Sequence, residues 1–279
     1  MKFVKMHGCG NDYIYINTFQ ETITNPSALA KQLSNRHFGI GGDGVIFVAP
    51  SSIADFKMEM YNSDGTPAEM CGNGIRCAAK FVYDQKILEK PKQSLTVESA
   101  GLIKFVDLIF QNGAVTAARV NMGKPELAAK KIPVLSARAM VIRETIALAD
   151  QTYQMTCVSM GNPHCVIFTD DVSKIDLAAV GPLLEHHSSF PNRTNVEFVQ
   201  VIHPSLLKMR VWERGTGETL ACGTGCCAAL TAGVLNHLTE RRATVQIPGG
   251  ELYILWDKKA GNIYMTGPAE TVFEGEIVL

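Results

Sequence analysis

The chain has 279 residues, which at a prior of about 150 residues per domain leaves room for two domains and a large core. Hydrophobic residues make up 46% and charged residues 19%, which excludes an intrinsically disordered chain, and no apolar run reaches the ~20 residues of a membrane span. The 26 Lys and Arg against 27 Asp and Glu give a formal net charge of −1, without the basic excess of a nucleic-acid binder.

The N-terminal residues Met1 to Gly8 lack the apolar stretch of a signal peptide, so a cytoplasmic protein is expected. There the eight cysteines stay reduced, and none is spaced as C-x-x-C. Gly10-Asn11 leads into a β-rich run, Tyr13 to Ile16. Asn25 is a helix N-cap with Pro26 at the first helical position. Gly44 to Val48 and the alternating Lys57 to Tyr61 read as strands. A helix starts after Cys71 and carries Ile75, Ala78, Ala79 and Val82. Gly and Pro then punctuate the chain at Asn121 to Pro125.

Beyond that boundary the pattern returns at a constant offset of 151 residues, with no gap. Gly161-Asn162 precedes the run His164 to Ile167, Asp176 stands where Asn25 stood, and Asn195 to Val199 and Lys208 to Trp212 repeat the two strands. A second helix follows Cys222 through Ala228, Ala229, Ala232 and Leu235. The chain is an internal duplication, each half reading as strand, helix, strand, strand, turn, helix and further strands. The Ala-rich closing helices suit a central, buried position.

Cys71-Gly72-Asn73-Gly74 and Cys222-Gly223-Thr224-Gly225 are the duplicated turns. A cysteine just before a helix faces unpaired N–H groups, which favour a thiolate, and the glycines let a ligand approach the backbone. Two such thiols acting on one carbon are what inversion of a stereocentre requires: one takes a proton from one face and the other delivers one to the opposite face. Asn62 and Glu213 each stand nine residues before their cysteine, at the end of an alternating strand, which favours a shared ligand over a merely structural turn. Gly39 to Gly44 only loosely resembles a dinucleotide-binding loop and precedes a strand.

At these residues the sequence resembles the diaminopimelate epimerase family. The matching blocks are His7 to Asp12, Met60 to Gly65, Cys71 to Cys77, Gly161 to His164, Arg193 to Val196, Trp212 to Gly215 and Cys222 to Gly225, all in order. The resemblance implies an α+β fold of two pseudo-symmetric domains, each a curled mixed β-sheet around a central helix, with the active site in the cleft between them. The expected domains are residues 1–120 joined by the C-terminal segment 268–279, and residues 121–267.

The resemblance also implies cofactor-independent conversion of LL-diaminopimelate to the meso isomer, in lysine and peptidoglycan precursor synthesis. Cys71 and Cys222 match the acid/base cysteines. Asn11, Asn62, Asn162 and Asn195 match substrate-binding asparagines, and Gly72, Asn73, Gly223 and Thr224 match donors at the helix N-termini. Glu213 and Arg214 match substrate contacts, with Glu213 suited to an ammonium and Arg214 to a carboxylate. His164 and Glu213 match residues that tune the thiols. Neither metal, nucleic acid nor membrane is expected, and a homodimer is expected on base rates.

Two departures stand out. Gly44 lies where some members carry a substrate-touching Gln, and Cys226 lies where Ala is usual. The alternatives are the same chemistry on histidine or hydroxyproline, a zinc site from Cys222, Cys226, Cys227 and His164, or a silent binding module. Cys9, Cys77, Cys157 and Cys165 are read as buried packing groups.

Overall fold

The computed structural model describes residues 1–68, 71–148 and 151–278. The chain divides into two units, Met1–Asn121 with Thr266–Leu279, and Met122–Met265.

In the first unit, β1 (Lys2–Gly8) and β2 (Asn11–Asn17) form an antiparallel hairpin. Its turn is made by Cys9 at φ 55° and Gly10 at φ 80°. Helix α1 (Pro26–Ser34) follows, started by Asn25, whose side chain accepts the Ala28 N–H at 3.1 Å. Next come β3 (Gly44–Ala49), parallel to β2, then β4 (Phe56–Asn62) and the two-residue β5 (Pro67–Ala68). Helix α2 (Gly72–Asp84) leads into the antiparallel β6 (Ser94–Ser99), β7 (Leu102–Gln111) and β8 (Ala114–Gly123). α1 packs on β2, β3 and β4 through Leu29, Ala30 and Leu33, with Ile14, Ile16, Val45 and Phe47. α2 packs against β1, β2, β3, β6 and β7, and is buried from Gly72 to Ala79. Its last turn reaches water, where Lys80 pairs with Asp84 at 2.6 Å.

The second unit begins with β9 (Glu144–Leu148) and β10 (Gln151–Ser159), then β11 (Pro163–Phe168) and α3 (Leu177–Glu185), capped by Asp176 accepting from the Ala179 N–H at 3.1 Å. β12 (Asn195–His203) runs parallel to β11, and β13 (Leu206–Glu213) and β14 (Gly217–Thr219) precede α4 (Gly223–Leu235). β15 (Arg242–Ile247) and β16 (Gly250–Trp256) complete the wrap, and α4 packs against β10, β11, β12, β13, β15 and β16. α4 is apolar on every side, as a helix enclosed by strands must be. β17 (Ile263–Pro268) then carries the chain back into the first unit, where β18 (Glu270–Glu276) pairs antiparallel with β1.

α1 and α3 begin and end on residues 151 apart, and so do α2 and α4. The sequence reading omitted the opening strands β1 and β10 and the short β5 and β14. The two halves differ in the outer partner of the opening strand. β10 pairs with β9, which precedes it in sequence, whereas β1 pairs with β18, which follows it by more than 260 residues.

Candidate active site

In the first unit Cys71 is the N-cap of α2, with extended backbone (φ −122°, ψ 118°), and its Sγ accepts the Gly74 N–H at 3.3 Å. A cap is ordinarily an oxygen side chain. Here the sulfur takes that place, at the positive end of the helix dipole, which favours a thiolate. Asn11, the first residue of β2, accepts the Cys71 S–H at 3.1 Å through Oδ1. Its Nδ2 donates to Asp43 Oδ2 at 2.8 Å, and the Asp12 N–H donates to the same oxygen at 3.2 Å. Arg36 ties Asp43 to Asp12 at 2.9 and 2.8 Å. Tyr13 is buried beside the thiol, and burial and the Cys71 sulfur push its hydroxyl well above the ordinary range.

The turn after Cys71 is fixed from behind by Arg76, fully buried, which donates to Gly72 O at 3.0 Å, Asn73 Oδ1 at 2.9 Å and Pro268 O at 3.1 Å. Asn73 is itself buried, so its side-chain oxygen belongs to the scaffold. Asn62 ends β4 with its Nδ2 on Thr66 Oγ1 at 3.1 Å. At Gly44 a Cβ would stand 2.1 Å from Tyr61 O and 2.9 Å from the Tyr13 ring, so this backbone has no room for a side chain there.

In the second unit Cys222 caps α4 with matching geometry (φ −122°, ψ 103°), its Sγ accepting the Gly225 N–H at 3.4 Å with Thr224 Oγ1 at 3.5 Å. Asn162 follows Gly161 (φ 106°) and donates from Nδ2 to Thr224 Oγ1 at 3.3 Å. His164 is fully buried, with Nδ1 2.6 Å from Glu197 Oε1 and Nε2 3.0 Å from Asn162 Oδ1. Both ring nitrogens are thus engaged, which leaves none to ligate zinc alongside Cys222, Cys226 and Cys227.

Burial pushes the Cys222 thiol well above its ordinary value, and the Glu213 and Glu197 carboxylates add to it; Thr224 and the Gly225 N–H pull the other way. Glu213, at the end of β13, is also raised, mainly by burial, against hydrogen bonds from Thr219 and Cys222.

Asn195 is buried and spans two strand ends: its Nδ2 donates to Pro163 O at 2.8 Å and its Oδ1 accepts the Arg214 N–H at 3.0 Å. The exposed Arg214 guanidinium donates to Asn192 O at 3.2 Å. The turn that carries Arg214 is held by buried Glu185, which accepts from the Gly215 N–H at 2.9 Å and Trp212 Nε1 at 2.8 Å.

The structure therefore brings Asn11 to Cys71, and Thr224 and Glu213 to Cys222, with Asn162 and His164 one and two hydrogen bonds further back. The side-chain bonds of Asn62, Asn195 and Arg214 described above go elsewhere within their own units. Asp43, Glu197, Arg76 and Glu185 were missed as site residues. A charged residue inside the otherwise apolar run Val196-Glu197-Phe198-Val199 was the available signal for Glu197. Cys9, Cys77, Cys157, Cys165, Cys226 and Cys227 are all buried, and burial holds Cys77 up at about 11. Among the described residues no helix is long and apolar enough to cross a membrane.

The sequence profile of the family described as Diaminopimelate epimerase matches residues 3–128 and 156–272. A protein named Diaminopimelate epimerase from Methanococcus maripaludis is 54% identical over 277 residues, 99% of each chain. One of the same name from Acetivibrio thermocellus is 52% identical over 279 residues, 100% of this chain and 99% of the other. Among solved structures, a phenazine biosynthesis protein from Bacillus anthracis has a TM-score of 0.71 at 16% identity, covering 100% of this chain and 99% of its own. A hydroxyproline epimerase from Agrobacterium vitis, with trans-4-hydroxy-L-proline bound, has a TM-score of 0.68 at 12% identity, covering 99% and 90%. These distant structures share the fold.

Proposed function

Given that the chain belongs to the diaminopimelate epimerase family, we propose that it interconverts LL- and meso-diaminopimelate, with Cys71 and Cys222 as the two acid/base groups and no cofactor. One observation carries the mechanism: two thiols, 151 residues apart, each occupy the N-cap of a 13-residue helix, and each Sγ accepts the N–H three residues on.

The cysteine that starts as thiolate removes the α-proton, forming an S–H bond. The electron pair of the broken C–H bond moves onto the carboxylate, whose oxygens gain negative charge. Donors at a helix N-terminus, the N–H groups of Gly72 and Asn73 or of Gly223 and Thr224, suit that charge. The other cysteine gives its S–H proton to the opposite face and becomes the thiolate. The enzyme ends with the two protonation states exchanged and the α-carbon inverted. Asn11, Asn62, Asn162 and Asn195 offer amides to the ammonium and carboxylate groups. Glu213 takes an ammonium and Arg214 a carboxylate, while His164 and Glu213 set the thiol at Cys222.

The test is deuterium incorporation by NMR in D₂O, without added cofactor, comparing LL-diaminopimelate with L-histidine and L-hydroxyproline. Label entering one α-carbon of diaminopimelate, with the meso isomer appearing, is the expected result. Exchange confined to another amino acid would retain the chemistry and reassign the substrate. No exchange with any of them would overturn the reading.

A further inference from the structure

Behind Cys222 runs a line of polar groups, and the two-thiol scheme accounts for neither its far end nor its direction. Glu197 lies in β12 among Val196, Phe198 and Val199, with no exposed surface. Its Oε1 meets His164 Nδ1 at 2.6 Å, while its Oε2 has no hydrogen-bond partner among the described residues. A buried carboxylate with one oxygen unsatisfied destabilises a fold, so stability does not explain this residue. Room for it is built into the helix: a Cβ at Gly225 would lie 2.8 Å from Glu197 Oε1 and 3.2 Å from Cys222 Sγ.

The direction follows from donor and acceptor arithmetic. His164 is flanked by two oxygens, Glu197 Oε1 and Asn162 Oδ1, and an imidazole donates from both nitrogens only as the imidazolium. With Oδ1 committed to the ring, Asn162 presents its amide hydrogens to Thr224 Oγ1. A hydroxyl that accepts there keeps its own hydrogen for Cys222 Sγ, 3.5 Å away. With His164 as the imidazolium, every link can donate toward the sulfur.

We propose that Glu197 is a positioning residue for the reaction: it holds His164 as a two-way donor, which fixes the Asn162 amide and turns the Thr224 hydroxyl hydrogen onto Cys222 Sγ, ready to receive a thiolate. This rests on the reading of Cys222 as an acid/base group.

The charged and titratable groups around this line are Glu213 on β13, Glu197 on β12 and His164 on β11. Beyond them lie the thiols of Cys165 and Cys157. Cys165 is held well above its ordinary value by its hydrogen bond with Cys157, by burial and by the charges of Cys157 and Glu197. Glu197→Gln removes one negative charge, and the buried ring, left without a counter-charge, is then neutral. The net charge facing Cys222 is unchanged. What is lost is the donor line, because a neutral His164 Nε2 accepts, the Asn162 amide turns over, and Thr224 donates to Asn162 Oδ1 in place of the sulfur.

The experiment is the rate of iodoacetamide modification of Cys222 against pH in the full-length protein, read by mass spectrometry of its peptide. Glu197→Gln is expected to move the rise of that rate to higher pH, lowering it roughly tenfold at neutral pH, the equivalent of one pKa unit. Thr224→Val should reproduce the shift and Thr224→Ser should not. In wild-type protein, ¹⁵N NMR at neutral pH should find both His164 nitrogens protonated. An unchanged or faster rate in Glu197→Gln, or an unprotonated ring nitrogen in wild type, would overturn the proposal. Neither readout uses turnover, so a wrong substrate would leave both intact and would show only in the D₂O exchange.

Discussion

The two cysteine-capped turns share a backbone and differ in what stands behind them. Tyr13 and Ile46 occupy the positions that are His164 and Glu197 in the second half, 151 residues on. A Cβ at Gly74 would meet Ile46 Cδ1 at 2.8 Å, whereas at Gly225 it would meet the Glu197 carboxylate at the same distance. The paired asparagines are consequently held in opposite senses. Asp43 draws the Asn11 amide hydrogens and leaves the oxygen to accept a thiol proton from Cys71. His164 draws the Asn162 oxygen and leaves the amide hydrogens to Thr224. Duplication supplied two equivalent helix ends, and divergence of a few buried polar side chains gave them unlike hydrogen-bonding surroundings.

The comparison breaks most completely if either thiol proves dispensable. Cys71→Ser and Cys222→Ser should each lower epimerisation by at least about 10³-fold, since one face loses its acid or base; near-normal kcat in either variant would remove that cysteine from the chemistry.

Asp43→Asn tests the first half's wiring. Without the carboxylate the Asn11 amide is free to reverse, and kcat should fall roughly 10-fold to 100-fold through misplacement at Cys71. The alkylation profile of Cys222 should stay as in wild type. A matching shift at Cys222 would show that the two halves are not wired independently.

Gly225→Ala and Gly74→Ala compare the two contacts directly. The first drives a methyl against a carboxylate held by an ion pair and against Cys222 Sγ. The second meets the movable end of an isoleucine. Overpacking of about 1–3 kcal/mol is expected at Gly225, with a smaller loss at Gly74, read from denaturant midpoints. Equal losses would remove the distinction.

The smallest effect is the pH dependence of stability, which should have opposite signs at two carboxylates. Asp12 feels burial upward, but Arg36 and Lys5 overcome it and hold the group below its ordinary 3.8, so the stability it confers is lost as pH falls through that depressed value. Glu213 is raised above its ordinary 4.5 by burial, so its folded form is favoured at acidic pH and loses stability as pH rises through the raised value. Asp12→Asn should therefore flatten the acid limb of Tm against pH, and Glu213→Gln the limb above it.

The duplicated helices and their caps were legible because short-range rules decide them. Asn25, Asp176 and the Ala-rich runs after Cys71 and Cys222 carry their own start signals, and a gap-free register doubles each signal. The pairing of β18 with β1 was not derivable in that way, since nothing local in Glu270 to Glu276 names a partner some 270 positions away. The reading of Asn73 as a helix-end donor and of Asn195 as a substrate-binding asparagine did not foresee their burial. Arg76 claims the oxygen of one, and Pro163 with the Arg214 backbone claims both ends of the other. Asp43 and Glu197 escaped because the repeat pairs them with Thr194 and Ile46, so the feature that strengthened the rest of the reading was silent where the halves diverged.

The strand that completes the first sheet also sets a clock. Pro268, whose carbonyl anchors Arg76 beneath the Cys71 turn, and β18, which covers β1, are both translated only after Met122–Met265 has been made. At roughly 5–20 residues per second, the 147 residues from the end of β8 at Gly123 to the start of β18 at Glu270 (270 − 123 = 147) impose a wait of roughly 7–30 seconds. Throughout that interval β1 has an unpaired edge and Arg76 lacks its Pro268 acceptor, whereas the second unit, continuous in sequence, draws on no segment made after it. The unit that holds β1 is completed by the last strand made.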